Sequence, residues 1–143
     1  MRFPVLICAA GVGGVLSSLW GGWDVLLKAL LIMMAVDYIT GLCVAALGRS
    51  NKSLTGHITS NAAFLGLIKK VAILLIVLVA AQLETVTGTS LFRSTVAMFF
   101  IGSEGLSIIE NTGLLGVPLP SALKKWFEAL RNKNDTGGGN DGT

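Results

Sequence analysis

Four apolar stretches, separated by short polar segments, occupy most of the chain. They cover residues 3–19, 25–48, 67–87 and 91–111. A helix needs roughly 20 mostly apolar residues to cross the hydrocarbon core of a bilayer. The first three stretches therefore predict transmembrane helices. The fourth predicts a weaker one, because it contains Arg93 and Glu104.

The first stretch has two interpretations. Arg2 followed by an apolar run is compatible with a signal peptide, but no small-x-small cleavage motif closes the run cleanly. Small residues instead form two rows at helical spacing, which permit close approach of another helix. The rows are Ala9, Gly13, Ser17 and Ala10, Gly14, Ser18. A retained helix is favoured, and packing within one chain or between chains both stay open.

Residues 61–68, which overlap the start of the third stretch, are apolar but are expected to lie outside the bilayer. They directly precede Lys69 and Lys70. An apolar segment next to a basic pair is typical of an interfacial entry to a membrane helix. The third helix is therefore predicted to begin at about residue 67.

The part of the chain after Pro120 is predicted to leave the membrane domain, residues 1–120. Residues 121–133 form a basic amphipathic pattern, with Ser121 as its cap and an apolar stripe along one face. Such a helix is expected to rest on anionic headgroups through Lys124, Lys125 and Arg131. Residues 134–143 are rich in Gly, Asn and Asp and predict a disordered tail.

Composition agrees with this pattern. Of 143 residues, 52% are hydrophobic and 13% are charged, about half the charged fraction of a typical soluble domain. A soluble fold of this size has too little interior to bury so much apolar surface. The fold class predicted is an all-α integral membrane protein with three to four transmembrane helices and a short C-terminal amphipathic helix.

The basic residues predict the orientation of the chain. They concentrate before the first stretch, between the second and third, and after the fourth. Because cytoplasmic loops carry the excess of Lys and Arg, both termini and the middle loop are expected in the cytoplasm. The net charge is +3, but no basic stripe alternates with aromatic residues, so no nucleic-acid partner is predicted.

Asp37 is a charged residue near the middle of the second stretch. Charged groups at this depth are costly and usually face a bundle interior or water. One interpretation is a pore-lining or assembly residue beside Thr40 and Gly41. The alternative is a structural carboxyl, either protonated or hydrogen-bonded to Tyr38 or Thr40.

The fourth stretch carries a polar stripe. Helical spacing aligns Glu104, Ser107 and Asn111 with Phe100, and Glu110 follows nearby. A buried, water-facing or helix-facing stripe is favoured over an interfacial one because the flanking positions are strongly apolar.

No catalytic machinery is recognisable in the sequence. The single histidine, His57, has no second ligand at metal spacing. There is no phosphate-binding glycine loop and no nucleophile elbow. The chain is therefore predicted not to be an enzyme, and no cofactor or metal is expected.

Four motifs are distinctive in the chain after residue 36. They are Asp37-Tyr38-Ile39-Thr40-Gly41, Thr59-Ser60 followed by Gly66-Leu67-Ile68-Lys69-Lys70, Glu104-Gly105-Leu106-Ser107-Ile108-Ile109-Glu110-Asn111, and Gly116-Val117-Pro118-Leu119-Pro120. These motifs resemble those of the toxin-secretion/phage-lysis holin family, which includes phage holins and related clostridial toxin-export proteins, and the resemblance extends over roughly residues 24–131. Two departures, residues 61–64 without basic side chains and Glu84 in place of an aspartate, concern loop interactions.

The resemblance implies a homo-oligomer in the bacterial cytoplasmic membrane. It implies lesions through which a murein hydrolase (endolysin) or a toxin crosses, without necessary contact with that cargo, and lysis of the host cell. The alternative from the residues alone is a small transporter or ion channel, in which Asp37 and Glu104 bind a cation or proton.

Overall fold

The computed structural model describes residues 10–11, 13–15, 17–52 and 55–135. Regular structure in these ranges is helical, and the described residues between 10 and 19 are helical as well. Four complete helices follow: α1, Val25–Ala46; α2, Ser60–Thr87; α3, Phe92–Leu114; and α4, Ser121–Asp135. The all-helical prediction is confirmed.

Three of these helices are long and apolar enough to cross a membrane, namely α1, α2 and α3. Only Val77, Ala80 and Ala81 are buried in α2, while large apolar side chains such as Phe64, Leu75 and Val79 are exposed along it. An apolar helix with so little buried surface is suited to contact with lipid. The predicted first span, residues 3–19, lies partly outside the described residues, so a fourth span stays a prediction.

Polar caps begin two of the helices. The Asp24 carboxylate accepts a hydrogen bond of 2.9 Å from the Leu27 N–H at the start of α1. The Thr59 hydroxyl accepts one of 3.2 Å from the Ala62 N–H at the start of α2. Each bond satisfies a backbone donor that the first helical turn leaves unpaired. Helix α2 thus begins at Ser60, before the predicted start near 67, and residues 61–68 form its first turns.

Helix α3 is the centre of the bundle. It packs extensively against α1 on one side and α4 on another, and less against α2, whereas α1 and α2 contact each other little. The main apolar core consists of Leu30, Met34, Val77 and Ala97, which come from α1, α2 and α3.

Helix α4 folds back along α3 through a contact at Gly105. The Phe127 ring occupies the space where a Cβ at position 105 would lie. Glycine is required there because any larger residue would overlap the ring. The apolar side of α4 is therefore partly occupied by α3, while Lys124 and Lys125 are exposed. Residues 136–143 of the predicted tail lie outside the described residues.

Candidate functional site

The most unusual feature of the bundle is an ion-pair cluster shared by three apolar helices. Lys70 on α2 places its Nζ 2.8 Å from Oδ2 of Asp37 on α1 and 2.5 Å from Oε2 of Glu104 on α3. The three side chains are only 9–12% exposed. Removing charges from water is costly unless they are paired and hydrogen-bonded. One ammonium here neutralises part of the charge of two carboxylates.

Asn111 completes this cluster from α3. Its Nδ2 lies 3.1 Å from Oδ1 of Asp37, 3.3 Å from the Asp37 carbonyl oxygen and 3.1 Å from Oγ1 of Thr40. Gly41 borders the same Nδ2, and a Cβ there would lie 3.6 Å from it, which is an ordinary van der Waals contact. Asp37, Lys70, Glu104 and Asn111 are called the central cluster below.

The members of the polar stripe on α3 are spaced at helical intervals and therefore share one face of the helix. That face points toward the other helices. Glu104 and Asn111 are buried, and Ser107 is half-buried between them. The Ser107 hydroxyl accepts a hydrogen bond of 3.0 Å from Nζ of Lys52, in the loop between α1 and α2. Glu110 is exposed and lies outside the central cluster.

A cavity of about 420 Å³ adjoins the central cluster. It lies between α1, α2 and the loop that joins them, with Ser103, Glu104 and Ser107 of α3 contributing to its lining. The sparse contact between α1 and α2 leaves this space open. Polar groups at the bundle centre therefore border a cavity that continues to the loop.

A second polar cluster lies at the opposite end of the bundle, formed by Asp24, Glu84 and Arg93 and called the end cluster below. Arg93 Nη2 is 2.5 Å from Oδ2 of Asp24, which is an ion pair rather than a well-directed hydrogen bond. The Arg93 N–H donates to Oε1 of Glu84 at 2.9 Å. Glu84 thus places a negative charge at the positive end of α3.

The two clusters are separated by the apolar core. At 1.5 Å of rise per residue along Asp24–Asp37, Lys70–Glu84 and Arg93–Glu104, they are roughly 16–21 Å apart. The hydrocarbon core of a bilayer is about 30 Å thick. When these helices span a bilayer of that thickness, at least one cluster lies at hydrocarbon depth. Within the bundle the central cluster is the more enclosed of the two, since the Asp24 side chain in the end cluster is 44% exposed.

The pKa of Asp24, outside the helical spans, is held below its ordinary value. Partial burial opposes this shift, but the hydrogen bond from Leu27 and the nearby Arg93 guanidinium favour the charged carboxylate more strongly. The end cluster is therefore a charged helix cap.

The predicted packing residues of the first stretch meet no partner in the described chain. Gly13 and Gly14 are exposed, and a Cβ at either would have no neighbour within 4 Å. Ala10 and Ser18 are exposed as well, Ser17 is half-buried, and Ala9 lies outside the described residues. Among the described residues, nothing covers the part of this small-residue face around Gly13 and Gly14.

The predicted membrane-surface basic residues divide into two groups. Lys69, Lys124 and Lys125 are exposed, and Arg131 is half-buried. Lys70 instead points into the bundle and forms the central ion pairs. This role of Lys70 differs from the membrane-surface role predicted for it, although Thr59-Ser60-Asn61 is a helix-start signal that places Lys70 well inside α2.

The arrangement offers charge compensation rather than recognisable catalysis. Between the two carboxylates the Lys70 ammonium already occupies the position that a bound cation would take. Within the described ranges, no group of three or more potential ligands from His, Cys, Asp and Glu is placed to hold a metal ion.

Comparisons with known proteins give a consistent result. The profile of the Bacteriophage holin family matches residues 14–132. An uncharacterized 14.9 kDa protein of Clostridium perfringens is 39% identical over 124 residues, which cover 85% of this chain and 89% of that protein. An uncharacterized protein of Listeria monocytogenes is 34% identical over 125 residues, covering 87% and 81% of the two chains.

A phage protein is also similar. The probable holin of Bacillus phage phi105 is 27% identical over 110 residues, which cover 76% of each chain. No solved structure matches this chain.

Proposed function

This chain belongs to the bacteriophage holin family, and we propose that it opens lesions in the bacterial cytoplasmic membrane as a homo-oligomer. Through these lesions a murein hydrolase (endolysin) or a toxin would cross from the cytoplasm, and lysis of the host cell would follow. The function needs no catalytic residue and no cofactor.

The observation that carries the proposal is the central cluster. In one chain, Asp37, Lys70 and Glu104 satisfy one another, so the bundle can enter lipid with its charges paired. In an assembly of several chains, the same groups can exchange these partners for water or for a neighbouring copy. Intramembrane ionisable residues are commonly found where a water-filled path forms. The charged side chains would thus be paired with one another in a closed form and would face water in an open form.

The partner in this assembly is a second copy of the chain. The uncovered small-residue face around Gly13 and Gly14 supports this proposal, because small residues let membrane helices approach closely. The exposed apolar surface of α2 supplies contact with membrane lipids. No direct contact with the hydrolase or toxin is needed.

The orientation proposed places both termini and the loop between α1 and α2 in the cytoplasm. Lys52 and Lys69 line the cavity, whereas Arg93 is at the opposite end of the bundle. An excess of basic residues marks the cytoplasmic side. Glu110 and the exposed basic residues of α4 then face the cytoplasm or the headgroups.

A transporter or cation channel is the alternative that the sequence allowed. No observation favours it, because Lys70 already lies between the two carboxylates that would bind the cation. Saturable flux of a single solute without lysis would nevertheless support that function.

The test is inducible expression in bacteria, with and without a cytoplasmic murein hydrolase that lacks its own export signal. We expect optical density to fall abruptly only when both are present, and a cytoplasmic reporter enzyme to escape. Hydrolase alone is the control. If the chain accumulates in the membrane and the hydrolase stays inside intact cells, the proposal is wrong.

A variant of the same experiment tests the homo-oligomer. Replacing Gly13 and Gly14 with Leu should reduce crosslinked oligomers and delay lysis, since the larger side chains separate neighbouring backbones. Leu19→Phe is the control: Leu19 is exposed in the same helical segment but lies on the side away from both small-residue rows. Equal effects of the two changes would contradict the proposed face.

A further inference from the structure

The cavity beside the central cluster has two chemically different walls. Its polar part, near the loop, includes Ser50, Lys52 and Lys69. Its apolar part follows α1 and α2 and includes Leu42, Ala45 and Ala62. We call this space the α1–α2 cleft. A basic mouth above an apolar wall matches the amphipathic shape of a phospholipid.

The charge of the α1–α2 cleft favours an anion. Three lysines and two carboxylates line it, but Lys70 and the carboxylates are engaged with one another. Lys52 gives one hydrogen bond to Ser107, which leaves two of its three donors available. Lys69 is exposed and forms no ion pair with any described residue. The three lysines exceed the two carboxylates by one positive charge, and the lysines whose donors remain available to a ligand are Lys52 and Lys69.

The position of Lys69 along α2 places that charge near the headgroups. Helix α2 has 28 residues, about 42 Å at 1.5 Å per residue, which exceeds the roughly 30 Å of hydrocarbon. From Glu84 in the end cluster to Lys69 is about 22 Å along the helix. A lysine side chain at that depth reaches the interface by extending its stem along the apolar surface.

We propose that the α1–α2 cleft binds one anionic phospholipid. Lys52 and Lys69 hold the phosphate of the headgroup, and an acyl chain lies along Leu42, Ala45 and Ala62. Basic pockets between transmembrane helices on the cytoplasmic side are known to suit such headgroups. A free phosphate ion would use the lysines but leave the apolar wall without a partner. The inference goes beyond lysis, because it requires only that the chain resides in a membrane.

The test measures lipid retention by the purified full-length chain in detergent, using native mass spectrometry. Phosphatidylglycerol is the anionic probe and phosphatidylcholine the zwitterionic one. We expect roughly 30-fold preference for phosphatidylglycerol, which corresponds to the attraction of two lysines at a membrane surface. The double variant Lys52→Gln and Lys69→Gln should reduce the preference to about threefold or less.

Two controls separate the α1–α2 cleft from general basic charge. Lys124→Gln with Lys125→Gln removes the same charge from exposed positions of α4 and should leave the preference unchanged. Ala62→Phe keeps all charges but fills the apolar wall, so both lipids should be lost. Ala45→Leu, which narrows the cleft from α1, replaces Ala62→Phe if that variant does not insert.

Three results would overturn the proposal. One is an undiminished preference in the Lys52 and Lys69 variant, and another is an equal loss in the α4 variant, which would indicate diffuse attraction. The third is displacement by inorganic phosphate together with full binding after the wall is filled, which would indicate an ion site. None of these results depends on lysis, so failure of this proposal is distinguishable from failure of the proposed function.

Discussion

The central cluster and the end cluster use the same chemistry in different surroundings. Each contains two carboxylates and one cationic side chain, contributed by helices or helix ends that meet in the bundle. In the central cluster all three charged side chains are nearly buried. In the end cluster, Asp24 is 44% exposed and caps α1, while Glu84 accepts a backbone N–H at the start of α3. The apolar core separates the two.

The comparison shows why only one cluster is expected to control a change of state. The Asp24–Arg93 pair is open to water on its Asp24 side, although the Arg93 side chain is only 12% exposed. Ion pairs that water reaches contribute little, about 0–1 kcal/mol, because water screens them and replaces them easily. A buried pair has no such replacement until water or another chain reaches it. Opening the end cluster therefore changes little, whereas opening the central cluster requires a new environment for its charges.

The largest effect is expected from Lys70→Met. This change leaves two carboxylates buried without a counter-ion, and breaking a buried pair from one side costs about 3–5 kcal/mol. We expect little folded protein in the membrane, measured by quantitative immunoblotting of membrane fractions and by thermal unfolding in detergent.

The matched control restores the charge balance. Combining Lys70→Met with Asp37→Asn and Glu104→Gln removes every charge from the cluster while keeping similar volumes, and should recover most of the lost protein. An Arg93→Met variant at the end cluster should accumulate almost normally. Equal losses in Lys70→Met and Arg93→Met would remove the distinction between the clusters.

The sequence predicts the carboxylates of the central cluster but not the lysine that pairs with them. Asp37 and Glu104 stand out because a charge in an apolar run is unusual, and helical spacing predicts that Ser107 and Asn111 share the face of Glu104. Their common partner, Lys70, is separated from both by more than thirty positions. Such a contact depends on how three helices are arranged, which periodicity within one helix does not determine.

The misplaced start of α2 has a local cause. A basic pair in an apolar segment normally marks a membrane boundary, so residues 61–68 were predicted to lie outside the span. The Thr59 cap shows that the helix begins earlier and carries Lys70 into the bundle. Composition does not predict which lysine of the pair is buried. Lys69 and Lys70 differ only in their angular positions on α2.

A smaller effect is expected from single amide substitutions in the central cluster. Asp37→Asn or Glu104→Gln leaves Lys70 paired with one carboxylate, so the cluster loses a charge-assisted bond worth about 1.5–3 kcal/mol without acquiring an unpaired cation. We expect both variants to insert and accumulate, but lysis onset to move earlier because fewer contacts hold the helices together. The measurement is lysis time at matched membrane abundance.

Ser107→Ala provides the internal comparison for these amides. It lies on the same stripe of α3 but removes only the neutral hydrogen bond from Lys52, so its shift in lysis time should be smaller. If both amide variants lyse on the parental schedule, the carboxylates serve structure alone and the central cluster is not the element that changes during opening.

The smallest effect concerns the protonation of Asp24 in the end cluster. Because the pKa of this carboxyl is lowered in the folded chain from its ordinary value of 3.8, its contribution to stability is complete above that value. The contribution is lost as the pH falls through the lower, folded-state pKa.

Asp24→Asn preserves an N-cap oxygen for the Leu27 N–H but cannot form the charged pair with Arg93. Thermal unfolding in detergent from pH 6 to about pH 2 should therefore show a difference between parent and variant that shrinks as the solution is acidified. The difference should not exceed about 1 kcal/mol at its largest, since the pair is partly exposed. A difference that grows on acidification would contradict this expectation. It would show that the charged carboxylate of Asp24 destabilises the folded chain.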